Sequence, residues 1–103
     1  MKPIILLPEA EQEMLEAAFY YQSKASGLGI DYLSEVERAV EAIAESPYTW
    51  PILEGELRRR LVRRFPFSVL YRIDPDEIVV IAVAHLSKRP GYWKKRIINS
   101  RLR

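Results

Sequence analysis

The sequence predicts an α+β fold, and two observations carry that prediction. The hydrophobic period changes from helical spacing to alternation near residue 57, and proline and glycine fall at the joints between the periodic segments. The predicted order is β-α-α-β-β-β, with an N-terminal helical hairpin packed on one face of a small, mostly antiparallel sheet. A chain of 103 residues, 49% apolar and 29% charged, fits a single domain spanning 1–103 around one core.

Ile4 to Leu7 reads as a short buried strand. Pro8 suits the first turn of a helix, where its missing N–H costs nothing, and Glu9, Glu11 and Glu13 favour the positive end of the helix dipole. Ala10, Met14, Ala17, Ala18, Tyr21 and Ala25 then recur at helical spacing as one apolar stripe. Gly27 and Gly29 are expected to break that helix. In the second helix Ile30, Leu33, Val36, Val40 and Ile43 form the expected inner stripe, with Asp31, Glu35, Glu41 and Glu45 facing water. Ser46-Pro47 ends it, because a residue before proline is pushed out of the helical region.

Residues 47–56, carrying Pro47, Pro51 and Gly55, read as a loop. Beyond it Leu57, Leu61 and Phe65 are expected to point one way and Arg58, Arg60 and Arg64 the other, on the open face of the sheet away from the helices, together with residues that follow the last strand. Phe67, Val69, Tyr71 and Ile73 share a face of the next strand, Asp74-Pro75-Asp76 is a turn, and Ile78 to Ala84 is apolar throughout, as in a central strand. The tail after Trp93 is basic and reads as a short helix or a disordered segment.

Charge divides the chain. Residues 1–56 hold three Lys/Arg against eleven Asp/Glu, and residues 57–103 hold thirteen against three, so a net +2 conceals −8 and +10. Such a split points to a surface that meets a polyanion or an acidic protein. With no cysteine and one histidine, disulfides and cysteine-rich zinc sites are excluded. The N-terminus is too short for a signal-peptide core, and the longest apolar run has a strand's length, so a soluble, cytoplasmic protein is expected.

Arg58, Arg60 and Arg64, at alternate positions, are candidates for holding phosphates or an acidic partner; pairing with the acidic helices is the plainer alternative. His85 stands where the last strand ends, followed within nine positions by Lys88, Arg89, Tyr92 and Lys94. One histidine and one tyrosine among cations are what a metal-free ribonuclease needs: a base for the ribose 2′-hydroxyl, cations for the developing phosphorane charge, and an acid for the leaving oxygen. His85 is equally readable as a structural residue, and Tyr92 as packing or a base-stacking surface. Trp93 and Trp50 read as core.

Pro8-Glu-Ala-Glu-Gln-Glu-Met-Leu, Glu45-Ser-Pro47, Arg63-Arg-Phe-Pro-Phe-Ser-Val-Leu-Tyr-Arg-Ile73 and Val83-Ala-His-Leu-Ser-Lys-Arg-Pro-Gly-Tyr-Trp93 together resemble the RelE/ParE superfamily of toxins from bacterial type II toxin–antitoxin modules, over about residues 4–96. The resemblance implies a compact RelE/ParE-like fold, a cognate antitoxin protein that masks a basic face, growth inhibition, and no cofactor or metal. It leaves two targets. The RelE-like branch cleaves mRNA on the ribosome as an endoribonuclease, and the ParE-like branch inhibits DNA gyrase without cleaving anything. Carried over by position, Arg64 would contact phosphate, Arg89 would be a cation behind the last strand, and Tyr92 an aromatic acid/base or stacking residue. His85 falls where some nuclease members place a catalytic polar residue. Arg58, Arg59 and Arg60 replace the lysines typical of RelE, and arginine is a poor general base. The Phe-Pro-Phe and Pro-Gly-Tyr-Trp blocks look closer to the ParE side, while His85 with Tyr92 suits the nuclease side.

Overall fold

Residues 1–101 are described by a computed structural model. The chain runs β1 (Ile4–Leu6), α1 (Pro8–Lys24), α2 (Leu28–Glu45), β2 (Ile52–Glu54), β3 (Leu57–Leu61), β4 (Phe67–Ile73), β5 (Ile78–His85) and α3 (Lys94–Arg101). The sheet order is β1-β5-β4-β3-β2; β1 runs parallel to β5 and the other neighbours are antiparallel. The predicted α+β order holds, with one strand added inside the proline-rich loop and the basic tail folded into a helix. Arg103, counted in the basic half, lies outside the described residues.

β2 escaped the sequence reading because Ile52, Leu53 and Glu54 are all exposed on a sheet edge and show no alternation. What defines it is the tight return at Gly55, which is left-handed (φ 56°) and pairs β2 with β3.

α1 starts at Pro8 with Glu9 and Glu11 in its first turn, as expected. Ala10, Ala17 and Ala18 are buried with Met14 and Tyr21 packed beside them, whereas Ala25 has left the helix and is exposed. Of the two expected breakers only Gly27 (φ 86°) turns the chain. Gly29 lies inside α2 for a different reason: a Cβ there would stand 2.5 Å from the Ala18 carbonyl oxygen and 2.9 Å from Gln22 Cβ. Its N–H also donates to Gln22 Oε1 at 3.0 Å. Gly29→Ala is therefore expected to push the hairpin apart and cost about 1–3 kcal/mol. Chemical denaturation of the two proteins checks this, and equal midpoints would show that the hairpin yields freely.

The expected inner stripe of α2 holds at Leu33, Val36, Val40 and Ile43 and is shifted only at its start, where Ile30 is lost and Tyr32 is gained. Ile30 is 66% exposed, while Tyr32, Val36, Ala39 and Ile43 are buried. The aromatic cluster sets that shift, since Tyr32 meets Tyr21, Phe65 and Phe67 at 5.1–5.3 Å between ring centroids. Glu35, expected in water, is carried inside with it and pairs with Arg38 at 3.3 Å.

β4 and β5 are buried on both faces and form the centre of the core. Phe67, Val69 and Tyr71 occupy the helix-side face, where Phe67 meets Tyr32. Cross-strand register pairs Val69 with Arg60 and Tyr71 with Arg58, so these arginines share the helix side. Leu57, Arg59 and Leu61, opposite Arg72, Leu70 and Ser68, share the other face. The expected set of Arg58, Arg60 and Arg64 on the open face is thus corrected. The chain leaves β3 after Leu61, and Arg64 sits in a left-handed turn (φ 71°) that breaks the alternation.

Trp93 and α3 cover part of the open face. Beneath them Arg72, 3% exposed, is held by both Asp74 oxygens (2.7 and 2.9 Å) and by Ser100 Oγ (2.8 Å).

Candidate functional site

β5 ends at His85, and the turn from Leu86 to Trp93 swings back across the open face to start α3. Between that turn and the sheet lies a cleft of about 260 Å³. Its walls are Leu53 and Glu54 from β2, Arg59 from β3, Ser68 and Leu70 from β4, and residues 84–94 apart from Ser87. The turn reaches this position because Leu86 N–H donates to the Pro66 carbonyl and Gly91 (φ 83°) redirects the chain into α3.

Five residues predicted from the sequence line this cleft together: His85, Lys88, Arg89, Tyr92 and Lys94. Arg59, passed over as one of three replaced lysines, joins them. Three predicted residues do not. Arg64 faces Asp31 of α2 at 3.8 Å and lies over the Phe65 ring. Arg58 donates to the Tyr48 and Trp50 carbonyls at 3.3 and 2.7 Å, and Arg60 lies 4.5 Å over the Trp50 ring. All three belong to the helix-side face for the reasons of register and turn geometry given above.

Within the cleft two side chains, His85 and Tyr92, are already committed. His85 Nδ1 accepts the Ser87 backbone N–H at 3.0 Å and lies 2.7 Å from Ser87 Oγ. A backbone amide can only donate, so Nδ1 is the accepting nitrogen and Nε2 carries the proton of the neutral ring. The neutral imidazole thereby offers a donor and lacks the free lone pair that a general base needs. Its ring also packs edge-on against Phe67. Lys94 makes a loose pair with Glu54 at 3.8 Å, with both side chains more than half exposed, so its charge stays available.

Tyr92 is held most firmly. Its hydroxyl donates to Glu13 Oε2 at 2.6 Å, and its ring lies under Lys88 and Arg96 at 5.6 and 5.0 Å. Burial, then the hydrogen bond to Glu13, pushes the phenol well above its ordinary value of 10.

Glu13, read from the sequence only as an acid at the start of α1, and Arg96, given no role there, organise this end of the molecule. β1 pairs with β5 only over Ile78–Val80, after which Pro8 turns the chain into α1. The edge of β5 beyond that point is closed by side chains: Glu13 Oε1 accepts from Val83 N–H (3.2 Å) and Arg96 donates to the Ile81 carbonyl (3.2 Å). Arg96 and Glu13 also form a two-pronged ion pair at 2.7 and 3.1 Å, both less than one-fifth exposed. A signal for Glu13 existed, since it stands within the helical spacing of the alanine stripe, three residues after Ala10 and four before Ala17.

This architecture has relatives. The family described as ParE toxin of type II toxin–antitoxin system, parDE, matches residues 4–90. The chain belongs to the ParE toxin family. It is accordingly the toxin component of a type II toxin–antitoxin system within the RelE/ParE superfamily. A solved structure described as the chromosomal ParDE TA system from P. aeruginosa shares the fold, with a TM-score of 0.69 at 16% identity, covering 82% of this chain and 96% of that one. Comparison with curated protein sequences gives no match. The match of the ParE family ends at Pro90, so Tyr92, Arg96 and α3 lie beyond it while Glu13 lies within it. Among the described residues no helix is long and apolar enough to cross a membrane.

Proposed function

We propose that this ParE-family toxin inhibits growth by binding, with DNA gyrase as its target in the cytoplasm, and that an antitoxin protein neutralises it. On this reading the basic cleft is a contact surface and not a ribonuclease centre. The observation that carries the reading is the commitment of Tyr92, whose hydroxyl is donated to Glu13 and whose proton is held more tightly than in a free phenol. An acid that must release its proton to a leaving oxygen gains nothing from that environment. The accepting Nδ1 of His85 and the distance of Arg64 from the cleft support the same conclusion.

The test is a supercoiling assay with purified gyrase beside primer-extension mapping of mRNA after induced expression. Inhibited supercoiling, filamentous cells and intact mRNA are expected. Codon-linked mRNA cuts with unimpaired supercoiling would overturn the proposal.

Ribosome-dependent mRNA cleavage stands as a second reading because Arg59, Lys88 and Arg89 share one cleft with His85. The two separate on His85→Ala. A binding toxin is expected to keep its potency within a few-fold, whereas loss of a general base would cost about 10²-fold or more.

A further inference from the structure

We infer that the toxin docks head-to-tail on a second copy of itself, with α3 of one molecule laid in an apolar groove on the outer face of the α1–α2 hairpin of the next. This contact is separate from the target reading above. The groove follows from how closely the two helices approach. Ala18 and Gly29 stand where they meet, so the floor between them carries almost no side chain. Its walls are Leu15 and Phe19 of α1 and Ile30 and Leu33 of α2, enclosing about 160 Å³. A second hollow of about 330 Å³ shares Leu15 and Phe19 and runs on to Leu6 and Pro8 at the start of α1. Phe19 is 74% exposed, and Leu15 and Ile30 are exposed beside it. Scattered surface hydrophobics are ordinary, but these line one continuous depression, the form that marks an interaction site.

Charge decides what covers it. α1 and α2 hold nine acids against two bases, and Glu11 and Glu16 stand on the groove itself. Laying one hairpin on another would bring like charges together, which disfavours a symmetric groove-on-groove pair. The groove calls instead for an apolar knob with cations around it.

α3 supplies that knob. Its inward side is spent on Arg96, which clamps Glu13, and on Ser100, which binds Arg72. Its outward side presents Ile98, 62% exposed, with Lys94 and Lys95 one turn before it and Arg101 one turn after. The helix contains no acid. Lys94 and Arg101 are held only by surface pairs to Glu54 and Glu56, which leave their charge available. Within one molecule knob and groove cannot meet, because α3 packs on the open face of the sheet and the hairpin on the other. The contact is therefore heterologous, each molecule offering one groove and one α3.

The experiment uses the full chain and sedimentation equilibrium. The parent is expected to sediment heavier than a single chain as its concentration rises, and to return toward one chain as salt is raised from about 0.05 to 0.5 M. Phe19→Ser spoils the groove and Ile98→Ser spoils the knob, and both positions are exposed, so neither change disturbs the core. Each variant alone should associate about tenfold more weakly or worse, the worth of one large apolar side chain. Mixed in equal amounts the two should pair, because α3 of the Phe19→Ser chain is intact and so is the groove of the Ile98→Ser chain. A parent that stays monomeric at every concentration, as it would if the groove served only another protein, overturns the inference. So does Ile98→Ser associating as well as the parent, the sign of groove on groove, or a mixture no heavier than its two components.

Discussion

Glu13→Ala is expected to destabilise the protein by about 3 kcal/mol, the low end of the cost of removing one partner from a buried ion pair, because Glu13 and Arg96 keep some exposure. Four groups lose their acceptor at once: both prongs of the Arg96 guanidinium, the Tyr92 hydroxyl and the Val83 N–H. Only Arg96 can recover by turning outward, and doing so would also release the Ile81 carbonyl it now binds. Because Glu13 is on the first helix and its partners are on β5, the following turn and α3, the change removes the polar clamp between α1 and the turn and α3 and leaves the shared core to hold the halves together. Denaturant unfolding of Glu13→Ala, Arg96→Ala and the double variant tests the claim. The double variant is expected to be much less destabilised than the sum of the singles, since each single leaves the other charge unpaired. A Glu13→Ala midpoint indistinguishable from the parent would show that the clamp carries no stability.

The same clamp explains why the cleft was only half legible in the sequence. His85, Lys88, Arg89, Tyr92 and Lys94 lie within ten consecutive residues, so one turn brings them to one wall. What the sequence reading could not show was their engagement. Tyr92 meets Glu13 across 79 positions, and no local pattern ties an acid on α1 to a tyrosine behind β5. The fold was easier where burial is two-sided or periodic: β5 is an unbroken apolar run, and the alanine stripe of α1 faces the sheet as expected. The reading failed where a long-range contact overrides a local pattern. Tyr32 turned α2 toward the aromatic cluster and left Ile30 outside, and the register of β3 on β4 put Arg58 and Arg60 on the helix side of the sheet. β2 had no burial to announce it.

Alkaline pH is expected to unfold the protein through its buried tyrosines. Tyr71 is fully buried, its hydroxyl donates to the Pro47 carbonyl at 2.5 Å, and burial pushes its phenol from 10 up to about 12 despite the opposing influence of Arg58. Below pH 10 both folded and unfolded chains keep that proton, so the contribution of Tyr71 does not vary. Above pH 10 the unfolded chain releases it first, and native stability falls until the folded phenol also ionises near 12. The loss from this residue alone is on the order of 2–3 kcal/mol by pH 12. Tyr32 and Tyr92, raised chiefly by burial, act in the same direction. Tyr71→Phe isolates the effect from the titration of lysines. At neutral pH the variant is expected to be less stable by about 1 kcal/mol, the net worth of the hydrogen bond to Pro47. By pH 12 the order should reverse, because phenylalanine has no proton for the unfolded chain to release. Stability curves that stay parallel from pH 8 to 12 would mean that the Tyr71 phenol ionises as readily inside the fold as outside it.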